Sequence, residues 1–194
     1  LSLLPKYEQW AIDVLTRASY DDFWKRPGFG PMPHYDAHAD VPTLYVGGWY
    51  DTYTRGTLEN FRELSRRKTQ PVHVLMGPWT HGGVGIGEAG DADFRPAGQI
   101  DFEAVRLQWF EHWLKGIDHG LDTRDPVTYF MMGIDTDQNV PEGKVAAGGE
   151  WRQAASWPLP QMRRCCLHLH ADGTLSEVEP AADEAPGTSF LFDP

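Results

Sequence analysis

The sequence predicts an α/β fold: a parallel sheet with flanking helices that passes into the first strands of an all-β sandwich. Two short apolar runs, residues 41–46 and 72–76, each end in a glycine signal (Gly47-Gly48 and Gly77-Pro78), as strands buried on both faces do. The stretch 56–68 between them has helical spacing, so the strands pair in parallel with a right-handed crossover. Beyond Asp125-Pro126 the helical spacing stops, and residues 127–132, 163–170 and 189–192 read as strands separated by Pro and Gly turns.

Taken in order, residues 6–19 form a helix, with Tyr7, Trp10, Val14 and Leu15 near helical spacing and Pro5 in its first turn. Residues 20–25 add a short helical turn. Pro27, Gly28, Gly30, Pro31 and Pro33 then break all regular structure, leaving a connector. In the helix over 56–68, Leu58, Phe61 and Leu64 share a face, with Glu early and Arg and Lys late, as the macrodipole favours. A glycine-rich stretch, 82–98, reads as a flexible loop. The helix over 101–115 carries Phe102, Val105, Trp109, Phe110, Trp113 and Leu114 and is closed by Gly116. A domain boundary is expected near residues 119–126.

With 194 residues, 41% apolar and 12% aromatic, the chain can bury a core, and its length suits one or two domains. Its net charge of −11 and its short basic runs, Arg66-Arg67-Lys68 and Arg163-Arg164, argue against nucleic acid or an anionic membrane surface as partner. No apolar run has the length of a membrane span. Cys165 and Cys166 are adjacent and form no disulfide framework, which favours a cytoplasmic setting. The chain starts at Leu1, so a targeting segment cannot be judged. Homo-oligomerisation is left open.

Functional groups in such sheets gather at the carboxyl ends of the strands. Asp51 follows the first strand and His81 the second, 30 residues later. One helix plus one strand needs about that spacing, so carboxylate and imidazole can meet. An aspartate that fixes a histidine tautomer is two thirds of a nucleophilic triad, and acid before histidine matches the chain order of α/β-hydrolases. The nucleophile would then lie upstream of Asp51, where Ser2 and Ser19 lack a strand–turn–helix setting. His34 with His38, and His168 with His170, have spacings that suggest metal ligands, but the Pro-rich connector offers no helix to align His34 with His38, and His168 and His170, on one strand face, have no acidic or Cys partner at ligand spacing. No metal or organic cofactor is expected.

The sequences around both residues resemble a known family. Asp40 to Asp51 (DVPTLYVGGWYD) and Met76 to Gly82 (MGPWTHG) are similar to the acid and histidine motifs of the cocaine esterase and X-prolyl dipeptidyl-peptidase family. Residues 20–25 (YDDFWK) resemble the end of that family's helical cap, and 110–116 (FEHWLKG) its last hydrolase helix. Residues 127–133, 151–160 and 167–175 resemble its jelly-roll opening.

The resemblance implies a serine hydrolase with an α/β-hydrolase core, a cap and a C-terminal jelly roll. Residues 1–26 would end the cap, 27–122 complete the core, and 123–194 begin the jelly roll. Asp51 would be the triad acid and His81 the general base. Tyr53, two residues after the acid, would line the acyl pocket; Trp49 and Trp79 would flank the substrate or pack under the loops. The nucleophile and part of the oxyanion hole would lie outside this chain, which alone would be inert. The substrate would be a small ester or an X-Pro peptide. Tyr53-Thr54 stands where α-amino ester hydrolases carry an acidic pair, which disfavours a cationic α-amino substrate. The competing reading is a non-catalytic β-sandwich binding module joined to a vestigial hydrolase half.

Overall fold

In the computed structural model, residues 4–134, 139–181 and 191 are described. Helix α1, Pro5–Thr16, opens on its proline and buries no side chain; Tyr7, Trp10 and Leu15 are exposed. Residues 21–25 form a hydrogen-bonded turn in which Asp21 Oδ1 accepts the Phe23 N–H at 2.9 Å. The connector is not wholly irregular, as its prolines and glycines suggested. Met32–Ala37 is a short 3₁₀ helix that buries Tyr35, whose hydroxyl donates to Asn60 at 2.8 Å.

Strand β1, Thr43–Gly48, leads into α2, Thr54–Ser65, and then β2, Val72–Gly77. The two strands pair in parallel from Thr43 beside Val72 to Gly48 beside Gly77. Phe61 and Leu64 form the buried stripe of α2, while Arg55 and Glu59 pair on its outer face. Every residue of β2 is buried, as a central parallel strand requires. A two-residue hairpin, β3 (Glu88–Ala89) and β4 (Ala92–Asp93), interrupts the glycine-rich stretch. Helix α3, Phe102–Lys115, starts where the Asp101 carboxylate accepts the Ala104 N–H at 3.0 Å. It ends at Gly116, whose φ of 69° lies in the left-handed region.

Strand β5, Val127–Ile134, and β6, Val145–Ala154, differ from the sequence expectation. β5 does not leave the first sheet: it pairs in parallel with β2, from Val74 beside Val127 to Met76 beside Tyr129. It also pairs antiparallel with β6 along its whole length. The result is one curled, mixed sheet in the order β1-β2-β5-β6-β4-β3. Val127, Tyr129 and Phe130 are buried, so joining this sheet covers apolar surface that an independent first strand would expose. The sheet therefore runs through the expected boundary at 119–126. The compact units are Leu1–Trp157 and Pro158–Pro194.

Within the second unit, the strand expected over 163–170 is reduced to β7, His168–Leu169, paired with β8, Leu175–Ser176. Asp172 caps the turn between them through the Thr174 N–H. The strand expected over 189–192 falls, apart from residue 191, outside the described residues.

Candidate active site

The carboxyl ends of β1 and β2 are joined by main-chain bonds. Trp49 N–H donates to Gly77 C=O at 2.9 Å, and Tyr50 N–H to Trp79 C=O at 3.3 Å. This close approach needs glycine: a Cβ on Gly48 would collide with the Trp79 carbonyl, and one on Gly77 with the Trp79 ring. Asp51 N–H returns to Gly48 C=O at 3.2 Å. The Thr54 hydroxyl bridges the Gly48 and Asp51 carbonyls, the latter at 2.7 Å. The acid loop is thus fixed before its side chain is considered.

The Asp51 side chain is 8% exposed, and both its oxygens are engaged. Oδ1 accepts the Tyr53 N–H at 2.9 Å, and Oδ2 lies 3.1 Å from His81 Nδ1. Burial works to raise the Asp51 carboxyl, but the Tyr53 amide, the His81 ring and the Thr52 hydroxyl outweigh it and hold it below the ordinary carboxylate range. An ionised carboxylate only accepts, so the proton of this bond resides on Nδ1 and Nε2 keeps a lone pair. The His81 side chain is 72% exposed. Chemically the pair is an oriented base, able to take a proton at Nε2 while Asp51 offsets the charge that develops.

The other candidate residues divide. The Tyr53 ring lies 5.1 Å from the His81 ring in an edge-on arrangement, 63% exposed, and forms part of the rim. Trp49 donates its indole N–H to the Phe130 carbonyl at 2.7 Å and packs against Trp157, which places it beneath the loop. Trp79 is fully buried against Trp151, so it is a floor under both strand ends and has no surface to offer a substrate. The bulky ring fills the space left by Gly48 and Gly77. Sequence reasoning missed Thr54, although a Thr three residues after a loop Asp at a helix start is a recognisable tie. It also missed Phe94, which contacts Tyr50 from the far side of the glycine-rich stretch.

That stretch is not free, contrary to its composition. The Arg95 guanidinium donates two hydrogen bonds to Asp93 and makes an ion pair with Glu88, which Lys144 of the β5–β6 connection also holds. Phe94 N–H and Ile100 N–H close back on Gly87 and Gly85. His34 and His38 spend ring nitrogens on the carbonyls of Lys25 and Ala39, each bond made apart from the other.

A family model described as X-Pro dipeptidyl-peptidase (S15 family) matches residues 2–83, which include both Asp51 and His81. A cocaine esterase from a Rhodococcus species is 25% identical over 205 residues, covering 99% of this chain and 32% of that protein. Two crystal structures of a CocE/NonD family hydrolase from Staphylococcus aureus share its fold, with TM-scores of 0.53 and 0.56 at 18% and 17% identity. They cover 82% and 87% of this chain and 24% and 25% of theirs. The chain thus spans about a third of the length of the curated relative it matches along its whole extent. The acid and histidine motifs, the family model over residues 2–83 and the shared fold all make this chain similar to the cocaine esterase and X-Pro dipeptidyl-peptidase hydrolases.

Proposed function

We propose that this chain supplies the acid and the general base of a serine hydrolase that cleaves small esters or X-Pro peptide amides. The observation that carries the reading is the Asp51–His81 hydrogen bond at the ends of two adjacent parallel strands, with the acid shielded and the base open. A serine from sequence outside these residues attacks the carbonyl while His81 Nε2 takes its proton. Asp51 holds the His81 tautomer and stabilises the imidazolium. Oxyanion donors come from the same outside sequence, so these 194 residues alone are inert. Tyr53, on the open rim beside His81, limits the acyl side.

The low exposure of Asp51 and the double use of its oxygens support an operating site over a vestigial one. The test is the protein that includes the upstream sequence of the same gene, assayed with a p-nitrophenyl ester. A burst of p-nitrophenol is expected. His81→Ala should remove turnover, by about 10⁶ in kcat, and Asp51→Asn should lower it by about 10⁴. Turnover that persists in both variants would overturn the reading. A burst from the 194 residues alone would place the nucleophile within them.

A further inference from the structure

A second site lies on the face of the sheet beneath α3. Residues 73 and 75 share that face by strand alternation, and the register sets Leu44 beside His73 and Thr128 beside Leu75. Val105 and Trp109 of α3 stand over it, and a cavity of about 220 Å³ remains between helix and sheet. Its lining is mostly apolar, with His73, Gln108, Arg124 and Thr128 as the polar exceptions.

His73 is 8% exposed, with its ring edge-on to Trp109 at 5.6 Å. Among the described residues neither of its ring nitrogens has a hydrogen-bond partner. Burial and the nearby Arg124 hold the imidazole below its ordinary pKa, so at neutral pH it offers one N–H and one lone pair. Arg124 makes no ion pair among the described residues and stands exposed at the cavity.

We propose that this cavity binds a small amphipathic acid: an unbranched apolar tail among Leu44, Ile100, Val105 and Leu121, with its carboxylate between the Arg124 guanidinium and the His73 N–H. A dry cavity of about 150 Å³ admits benzene, so 220 Å³ takes about nine non-hydrogen atoms, the size of hexanoate or octanoate. The site is independent of the acid–histidine pair. Asp51 and His81 follow the carboxyl ends of β1 and β2, and neither lines the cavity.

The experiment titrates the protein that includes the upstream sequence of the same gene with sodium octanoate, read by calorimetry and by the C2 proton resonance of His73. Saturable one-site binding that moves the resonance is expected. Dodecanoate, too long, and octanol, without charge, should bind at least tenfold more weakly. Arg124→Ala should weaken octanoate tenfold and leave octanol unchanged, and Leu44→Trp should fill the chamber and abolish binding. Arg124 is exposed, so its variant remains decisive if Leu44→Trp does not fold. Absence of saturable binding, or binding that Arg124→Ala leaves unchanged, would overturn the proposal.

Discussion

Asp51 and His81 face each other across 3.1 Å, yet the acid side chain is 8% exposed and the histidine 72%. The segments that carry them are held by different forces. Residues 49–54 are fixed by main-chain bonds to β2, by the Thr54 hydroxyl and by glycines that let Trp79 close in underneath. The chain after His81 is fixed farther on, by the Asp93–Arg95–Glu88–Lys144 charges. Steric fit is indifferent to salt and pH, whereas a charge network responds to both. The contrast teaches that close packing can lock a shielded carboxylate in place while the imidazole it holds stays open to solvent on a tethered loop.

The largest effect is expected at Gly48. In Gly48→Ala the new methyl runs into the Trp79 carbonyl, which should cost about 3 kcal/mol in a thermal melt. It should also erase the downfield proton resonance of the His81 Nδ1–H bond. A variant that melts normally and keeps that resonance would break the claim that close packing sets the acid loop.

Asp93→Ala comes next, at about 2 kcal/mol, since it removes charge-assisted hydrogen bonds. Arg95 holds the Asp93 carboxyl down to about 2. The folded value lies below the unfolded one, so this contribution is complete above about pH 4 and is lost as pH falls from 4 toward 2. Wild type should therefore lose more stability over that window than the variant, while the His81 resonance at neutral pH persists in both. If Asp93→Ala removed the resonance as fully as Gly48→Ala, the two segments would not be separately held.

The smallest effect belongs to Tyr53→Ala. The edge contact with His81 is worth about 1 kcal/mol at most, and the residue 53 amide still bonds Asp51. Melting should barely change and the downfield proton should remain. Its loss would mean that the ring, and not the backbone, aims the acid.

Much of the site was legible because its signals are local. The apolar runs, the helix between them, and Asp51 and His81 just past the strand ends all follow from short windows of sequence. The strand limits slipped for a physical reason: Gly47, Gly48 and Gly77 read as terminators, yet they extend β1 and β2 because another backbone and Trp79 come close there. β6 was missed because Ala146-Ala147-Gly148-Gly149 carries no β signal of its own, and only pairing with β5 makes it a strand. Glycine-rich composition suggested a mobile stretch at 82–98, whereas Lys144 pins it from far along the chain. Trp79 looked like a substrate neighbour because an aromatic beside a catalytic motif gives no hint of which way its ring turns.

The unequal exposure of the pair also bears on how such a site responds to substitution. Substitutions at Gly48, Gly77, Trp79 or Thr54 would disturb the socket that aims Asp51. Thr52, Tyr53, Gly82 and Ile86 are exposed around that socket and carry little of its packing. Replacing these rim residues would therefore reshape the surface around His81 while the Asp51–His81 hydrogen bond beneath stays in place.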